Sequence, residues 1–250
     1  MEKENEKNKF KILNANTLKF IALIFMICDH LWGTILPGND WLTIIGRLAF
    51  PIFAFFIVEG FYHTKDFKKY IKRLFIFALI SEIPFNLMIG GSIIYPFMQN
   101  VMFTFLISLL LMNSIEKTYK KGDKTKVIVK SLAFTVLGFI LGSVLFVDYF
   151  GYGVLMTLGF YFAKKMPKKL AIVFEILFMV YINAFLIEGL TTPFNIFGRE
   201  IFIPRQAFAV FSLILIWMYN GELGKKNKFI QYGFYIIYPL HMLIFSLLAL

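Results

Sequence analysis

Cysteine is nearly absent: Cys28 is the only one in 250 residues. An internal disulfide and a cysteine-based metal cluster are therefore excluded. Charge is scarce as well. Asp, Glu, Lys and Arg make up 16% of the chain against 59% apolar residues, and the mean hydropathy is +0.72. That balance excludes an ordinary soluble domain and points to a polytopic membrane protein. Negative charge is the scarcer sign, with 15 Asp and Glu against 26 Lys and Arg. The resulting net charge of +11 does not imply nucleic-acid binding, because the basic residues sit in short segments between apolar runs, as orientation by a cytoplasmic surface requires. HExxH, the P-loop and G-x-S-x-G are all missing. The histidines and carboxylates have no metal-ligand spacing, so no metal is expected. No internal or inverted repeat is evident, which disfavours a secondary transporter.

What is present is a series of apolar runs at 16–36, 41–62, 70–89, 98–115, 127–147, 150–164, 170–188, 206–220 and 229–249. They predict an all-α, polytopic transmembrane helix bundle of about nine spans. The runs at 150–164 and 206–220 are short for a full crossing. Residues 1–14 read as a basic cytoplasmic tail and 15–250 as a single transmembrane domain. The start resembles a signal sequence but has no small-residue cleavage site, so the first run reads as a retained helix. All but three of the 26 Lys and Arg fall in clusters at 3–19, 65–73, 117–130, 164–169 and 225–228. With nine spans, every cluster lies on one side, which predicts N-in, C-out.

Ionisable groups inside apolar runs are costly, and each one is a functional candidate. Asp29 and His30 lie deep in the first run, and Lys19 stands eleven residues before His30. Eleven residues return to nearly the same helix face, roughly 16 Å along the axis. Asp29 is the expected orienter of the His30 imidazole. Arg47, at a similar depth in the second run, is the expected partner of Asp29. Glu82, Asn100 and His241 lie at comparable depth in later runs. Taken alone, Asn100 reads as a helix–helix hydrogen bond more than as a site group, and His241 equally as a site residue or a helix contact. Asp148-Tyr149 reads as an interfacial turn.

Several segments, in order, resemble the TraX family: RLAFPIF at Arg47–Phe53, VEGFY at Val58–Tyr62, KYIKRL at Lys69–Leu74, ISEIPF at Ile80–Phe85, NVMFT at Asn100–Thr104, YNG at Tyr219–Gly221 and YIIYPLH at Tyr235–His241. The resemblance covers almost the whole chain. It implies a pilin-acetylase-like enzyme within the wider class of transmembrane acyltransferases, seated in the bacterial cytoplasmic membrane. Acetyl-CoA is the implied co-substrate, with a basic residue and a histidine eleven positions apart on an early helix; here Lys19 replaces the commoner arginine. On this reading His30 and Asp29 are catalytic. Arg47, Glu82, Asn100 and His241 bind the acceptor or stabilise an oxyanion. Lys19, Lys72 and Arg73 bind the cofactor phosphates. The implied partners are the lipid bilayer and an extracytoplasmic acceptor, a pilin-like peptide or an envelope glycan, with no nucleic acid. A proton-coupled transporter or flippase using the same charges is the alternative, and a non-catalytic assembly partner is a third.

Overall fold

The computed structural model describes residues 10–187, 189–225 and 227–249, apart from the side chains of 196 and 228–231. Of the predicted basic tail, residues 1–9 lie outside the described residues. Ten α-helices follow in order: α1 (Ala15–Thr34), α2 (Asp40–Gly46), α3 (Ala49–His63), α4 (Phe67–Gly90), α5 (Val101–Tyr119), α6 (Lys124–Val144), α7 (Phe150–Ala163), α8 (Lys168–Val180), α9 (Ser212–Trp217) and α10 (Lys228–Leu248). A π-helical turn, Tyr181–Leu186, extends α8, and a 3₁₀ turn, Arg205–Phe211, precedes α9. Together they make nine apolar helical stretches in the predicted order. Six are long and apolar enough to cross a membrane; those ending in α7, α9 and α10 are shorter.

Helix starts follow local chemistry. Asn14, Asp66, Asn100 and Asp123 each cap α1, α4, α5 and α6 with a side-chain oxygen that accepts a backbone N–H of the first turn. The predicted run 41–62 is broken between α2 and α3. Pro51 is the cause: it has no N–H for the carbonyl of Arg47 four residues back, and its ring crowds that carbonyl. The chain bends at Arg47–Leu48.

The chain is mostly helical, as expected, and carries one element of another kind. Thr191–Ile196 (β1) and Arg199–Pro204 (β2) form an antiparallel hairpin, with Thr191 opposite Pro204 and Ile196 opposite Arg199. Its two-residue turn has positive φ at both Phe197 (52°) and Gly198 (76°), the geometry that suits the twist of a hairpin.

Contacts gather the basic segments at one end of the bundle. Lys164, after α7, pairs with Glu59 of α3, and Lys165 pairs with Glu116 of α5 at 2.6 Å. Asn16 donates to the carbonyl of Lys225. At the opposite end, Asp40 meets Arg205 and Gln99 bridges to Val147. Large apolar side chains cover the outside of α6 and α8, with Leu132 66% and Leu177 65% exposed. Such surfaces are costly in water but suit hydrocarbon, where helices satisfy their own backbone. The chain is a helical membrane protein.

Candidate active site

A cavity of about 620 Å³ opens in the half of the bundle away from the basic end. Asp29 and His30 of α1, Arg47 at the α2–α3 bend, Asp148 and Tyr149 of the α6–α7 turn, and Arg205 and Gln206 of the 3₁₀ turn line it. Much of the remaining wall is apolar, including Phe50, Phe53, Phe85 and Met98.

His30 is paired with His241 of α10, not with Asp29. His30 Nδ1 lies 2.7 Å from His241 Nε2, and the rings stack with centroids 4.9 Å apart. His241 Nδ1 lies 2.8 Å from the carbonyl of Ile237. A carbonyl only accepts, so His241 Nδ1 carries the proton and its Nε2 is the acceptor. His30 Nδ1 must then donate, which leaves neutral His30 with an unprotonated Nε2. That nitrogen has no hydrogen-bond partner among the described residues. The imidazole is thus held in one tautomer by a second histidine, a role the sequence assigns to Asp29. His241 itself is an orienting group behind His30 and does not line the cavity.

Asp29 instead joins a compact cluster. Arg47 Nη2 lies 2.9 Å from Asp29 Oδ1, as expected from the hairpin. The Thr43 hydroxyl donates to the same oxygen at 2.6 Å and accepts from Arg47 Nη2 at 2.7 Å. Arg47 Nη1 reaches Gln206 Oε1 at 3.5 Å, and Gln206 donates to Asn183 in the π-helical turn at 2.8 Å. Gly46 permits the approach of α2 to α1. A Cβ there would fall 2.4 Å from the Asp29 Cβ, so any other residue would push the cluster apart.

Glu82 and Asn100 meet each other rather than the cavity. Asn100 Nδ2 donates to Glu82 Oε2 at 2.5 Å and to the Ala78 carbonyl at 2.8 Å, while its oxygen caps α5. The pair ties α4 to the start of α5, where a carboxylate also suits the positive end of the helix dipole. Asn100→Ala is expected to lower stability by about 1–2 kcal/mol, typical of a lost cap, measurable as a lower unfolding midpoint in detergent.

At the basic end, Lys19 Nζ sits 4.8 Å from the Phe56 ring centroid. Arg73 lies between Tyr70 and Tyr235 and donates to the Tyr235 hydroxyl at 3.2 Å. The two cations are close enough for their charges to interact, and neither is paired with a carboxylate among the described residues. Lys72 points elsewhere on α4 and is exposed.

Sequence reading assigns no site role to three residues of the cavity. Trp32 Nε1 and Arg205 Nη1 are buried donors without an acceptor, on two residues whose side chains stack at 5.4 Å. Asp148, which reads as an interfacial turn, is a cavity residue. The only sequence signal for all three is a polar group bordering an apolar run. Among the described residues no cluster of His, Cys, Asp or Glu has the form of a metal site.

Comparison with known proteins fits this architecture. The TraX protein family matches residues 14–249. A Dichelobacter nodosus protein described as "Probable fimbrial assembly protein FimC, serogroup H1" is 30% identical, covering 92% of this chain and 93% of its own length. No solved structure matches. A family match from the first helix to the last, together with a relative aligned over nearly its full length, places this chain in the TraX family.

Proposed function

We propose that this chain is a membrane-embedded acetyltransferase that moves an acetyl group from cytoplasmic acetyl-CoA to an extracytoplasmic amine or hydroxyl. The carrying observation is His30 in the cavity wall, held from behind by His241, which leaves one fixed, unprotonated imidazole nitrogen. The basic end faces the cytoplasm of a bacterial cell, as the charge distribution favours, and the cavity faces outward.

In this reading Lys19 and Arg73 attract the phosphates of acetyl-CoA, and the aromatic rings beside them suit its adenine. The cavity extends along α1 as far as Met26, roughly 10 Å from Lys19 by helix rise, a gap for the pantetheine arm to span. His30 Nε2 takes the proton of the acceptor as its N or O attacks the thioester carbon. The C–S bond breaks, and the coenzyme A thiolate receives that proton. Arg47, whose charge is felt at His30, supports the developing oxyanion. Trp32 and Arg205 offer further unpaired donors.

The transporter alternative needs Glu82 and His241 on one path with Asp29. Their engagement away from the cavity weighs against it. The fimbrial description of the Dichelobacter relative favours a pilin-like acceptor, with an envelope glycan as the other class. Purified protein in nanodiscs, given labelled acetyl-CoA and envelope extract, tests transfer. Mass spectrometry of wild-type and deletion envelopes identifies the acceptor by one acetyl mass. Failure of both to show an acetyl difference rejects the proposal.

Donor binding gives a separate prediction. Lys19→Ala and Arg73→Ala each raise the KM for acetyl-CoA about tenfold, or ~1.4 kcal/mol, with kcat nearly unchanged. Lys72→Ala leaves both parameters near wild type. Steady-state kinetics with acetyl-CoA varied separates the three.

A further inference from the structure

The charges around the cavity do not cancel. Asp29 is paired with Arg47 at 2.9 Å and Asp40 with Arg205 at 2.5 Å. Asp148 is left over. No cation among the described residues lies within ion-pair distance of its carboxylate, although Arg47 and Asp29 both act on it electrostatically. One guanidinium thus serves two carboxylates, because Arg205, the other guanidinium in the wall, is taken up by Asp40.

The backbone that carries Asp148 is strained and held. Phe146 (φ 51°), Tyr149 (60°) and Phe150 (48°) all adopt the left-handed conformation that residues with a Cβ avoid. Such strain persists only where surrounding structure over-determines it, and it concentrates at functional sites. The clamps here are specific. Gln99 N donates to the Phe146 carbonyl and Asp148 N to the Gln99 carbonyl, both at 2.8 Å, and the Thr104 hydroxyl donates to the Asp148 carbonyl at 2.7 Å. A Cβ on Gly151 would fall 2.3 Å from the Phe139 carbonyl oxygen, so the glycine lets α7 start hard against α6. Backbone and neighbours together fix the Asp148 backbone and leave its carboxylate without a salt bridge.

We propose that Asp148 is the docking carboxylate for a protonated primary amine on the acceptor, so that the chamber selects amines over hydroxyls. The assignment rests on reading this chamber as the acceptor side of an acetyltransferase. An ammonium there cancels the leftover charge and makes a charge-assisted hydrogen bond, which a neutral hydroxyl cannot match. The chemistry balances. The ammonium nitrogen gives up two protons on becoming an amide: His30 passes one to solvent, and the other goes to the coenzyme A thiolate as the C–S bond breaks and the C–N bond forms.

Protonation gives an independent signature. Burial, and then the Asp29 carboxylate, push the Asp148 carboxyl up to about 7, against the pull of Arg47. The other titratable groups facing it are Tyr149 in its own turn and Tyr238 of α10, and His30 lines the same chamber. Only the carboxylate form holds an ammonium, so amine affinity rises as pH passes upward through about 7.

The test is binding without acetyl-CoA, so that it does not depend on transfer. Saturation-transfer NMR on the full chain in nanodiscs compares n-butylammonium with 1-butanol. The ammonium is expected to bind at least about tenfold tighter. Asp148→Asn removes that preference, Asp148→Glu restores it in part, and wild-type affinity rises between about pH 6 and pH 8. Equal affinity for the two probes, or a preference intact in Asp148→Asn, overturns the assignment. If Asp148→Asn does not fold, the Asp148→Glu variant and the wild-type pH profile decide. Ammonium binding through Asp148 without any acetyl transfer would sink the enzymatic reading alone; transfer to hydroxyls with no ammonium preference would sink this one alone.

Discussion

His30→Ala is expected to lower acetyl transfer by about 10²–10⁴-fold, the range for loss of a positioned general base. Transfer of label from acetyl-CoA to acceptor measures it, and equal rates in wild type and variant would reject His30 as the base. The second histidine makes the prediction sharper. His241 does not line the cavity, so its effect must pass through His30. His241→Ala removes the acceptor for His30 Nδ1–H and frees the ring to turn or change tautomer, with an expected loss of about 10²-fold. His241→Gln supplies a carbonyl oxygen in place of Nε2 and is expected to recover roughly tenfold of that. A purely structural His241 would show no such rescue in rate at equal unfolding midpoint. The loss is also expected in kcat more than in the KM for acetyl-CoA, because the donor phosphates are read as bound at Lys19 and Arg73 at the far end of α1.

The sequence made the broad architecture readable because hydrocarbon imposes simple rules. Apolar run length and the placement of lysines yielded nine stretches, and the helices follow them within a few residues. The Asp29–Arg47 pair was readable too, since a buried charge needs a partner and the hairpin offered one at matching depth. What depth could not supply was direction. Glu82, Asn100 and His241 sit at comparable heights, yet Glu82 faces Asn100 across α4 and α5, and His241 faces the back of His30. Rotation about each helix is set by packing, such as the Gly46 contact that seats α2 on α1, and no spacing rule encodes it. Pro51 marked a bend, but only the structure shows that the bend presents Arg47. The β1–β2 hairpin was hidden because it lies in the mixed polar and apolar connection between the runs 170–188 and 206–220, and its Phe197-Gly198 turn lacks the usual Asn or Asp before the glycine. Asp148 was hidden because its role depends on a left-handed turn at aromatic residues, which sequence preference argues against.

Removing Arg47 alone should unfold the site more than any other single change. Arg47→Met leaves Asp29 in a largely apolar wall with only the Thr43 hydroxyl as donor, and breaking a buried ion pair in this way costs about 3–5 kcal/mol. Asp29→Asn is expected to cost less, because Arg47 keeps Thr43 and Gln206 as partners. The double variant Asp29→Asn/Arg47→Met removes both charges and is expected to recover most of the loss, since neither charge is then left unpaired. Unfolding midpoints of the four proteins in one detergent close the double-mutant cycle, and a coupling below about 0.5 kcal/mol would show that the pair is not a stabilising unit. The same four proteins separate structure from chemistry. If Asp29 only anchors Arg47, Asp29→Asn keeps transfer within about tenfold of wild type, whereas the well-folded double variant loses about 10²-fold with the cation beside the oxyanion. Equal losses in Asp29→Asn and the double variant would instead return Asp29 to the catalytic role that its place next to His30 first suggests.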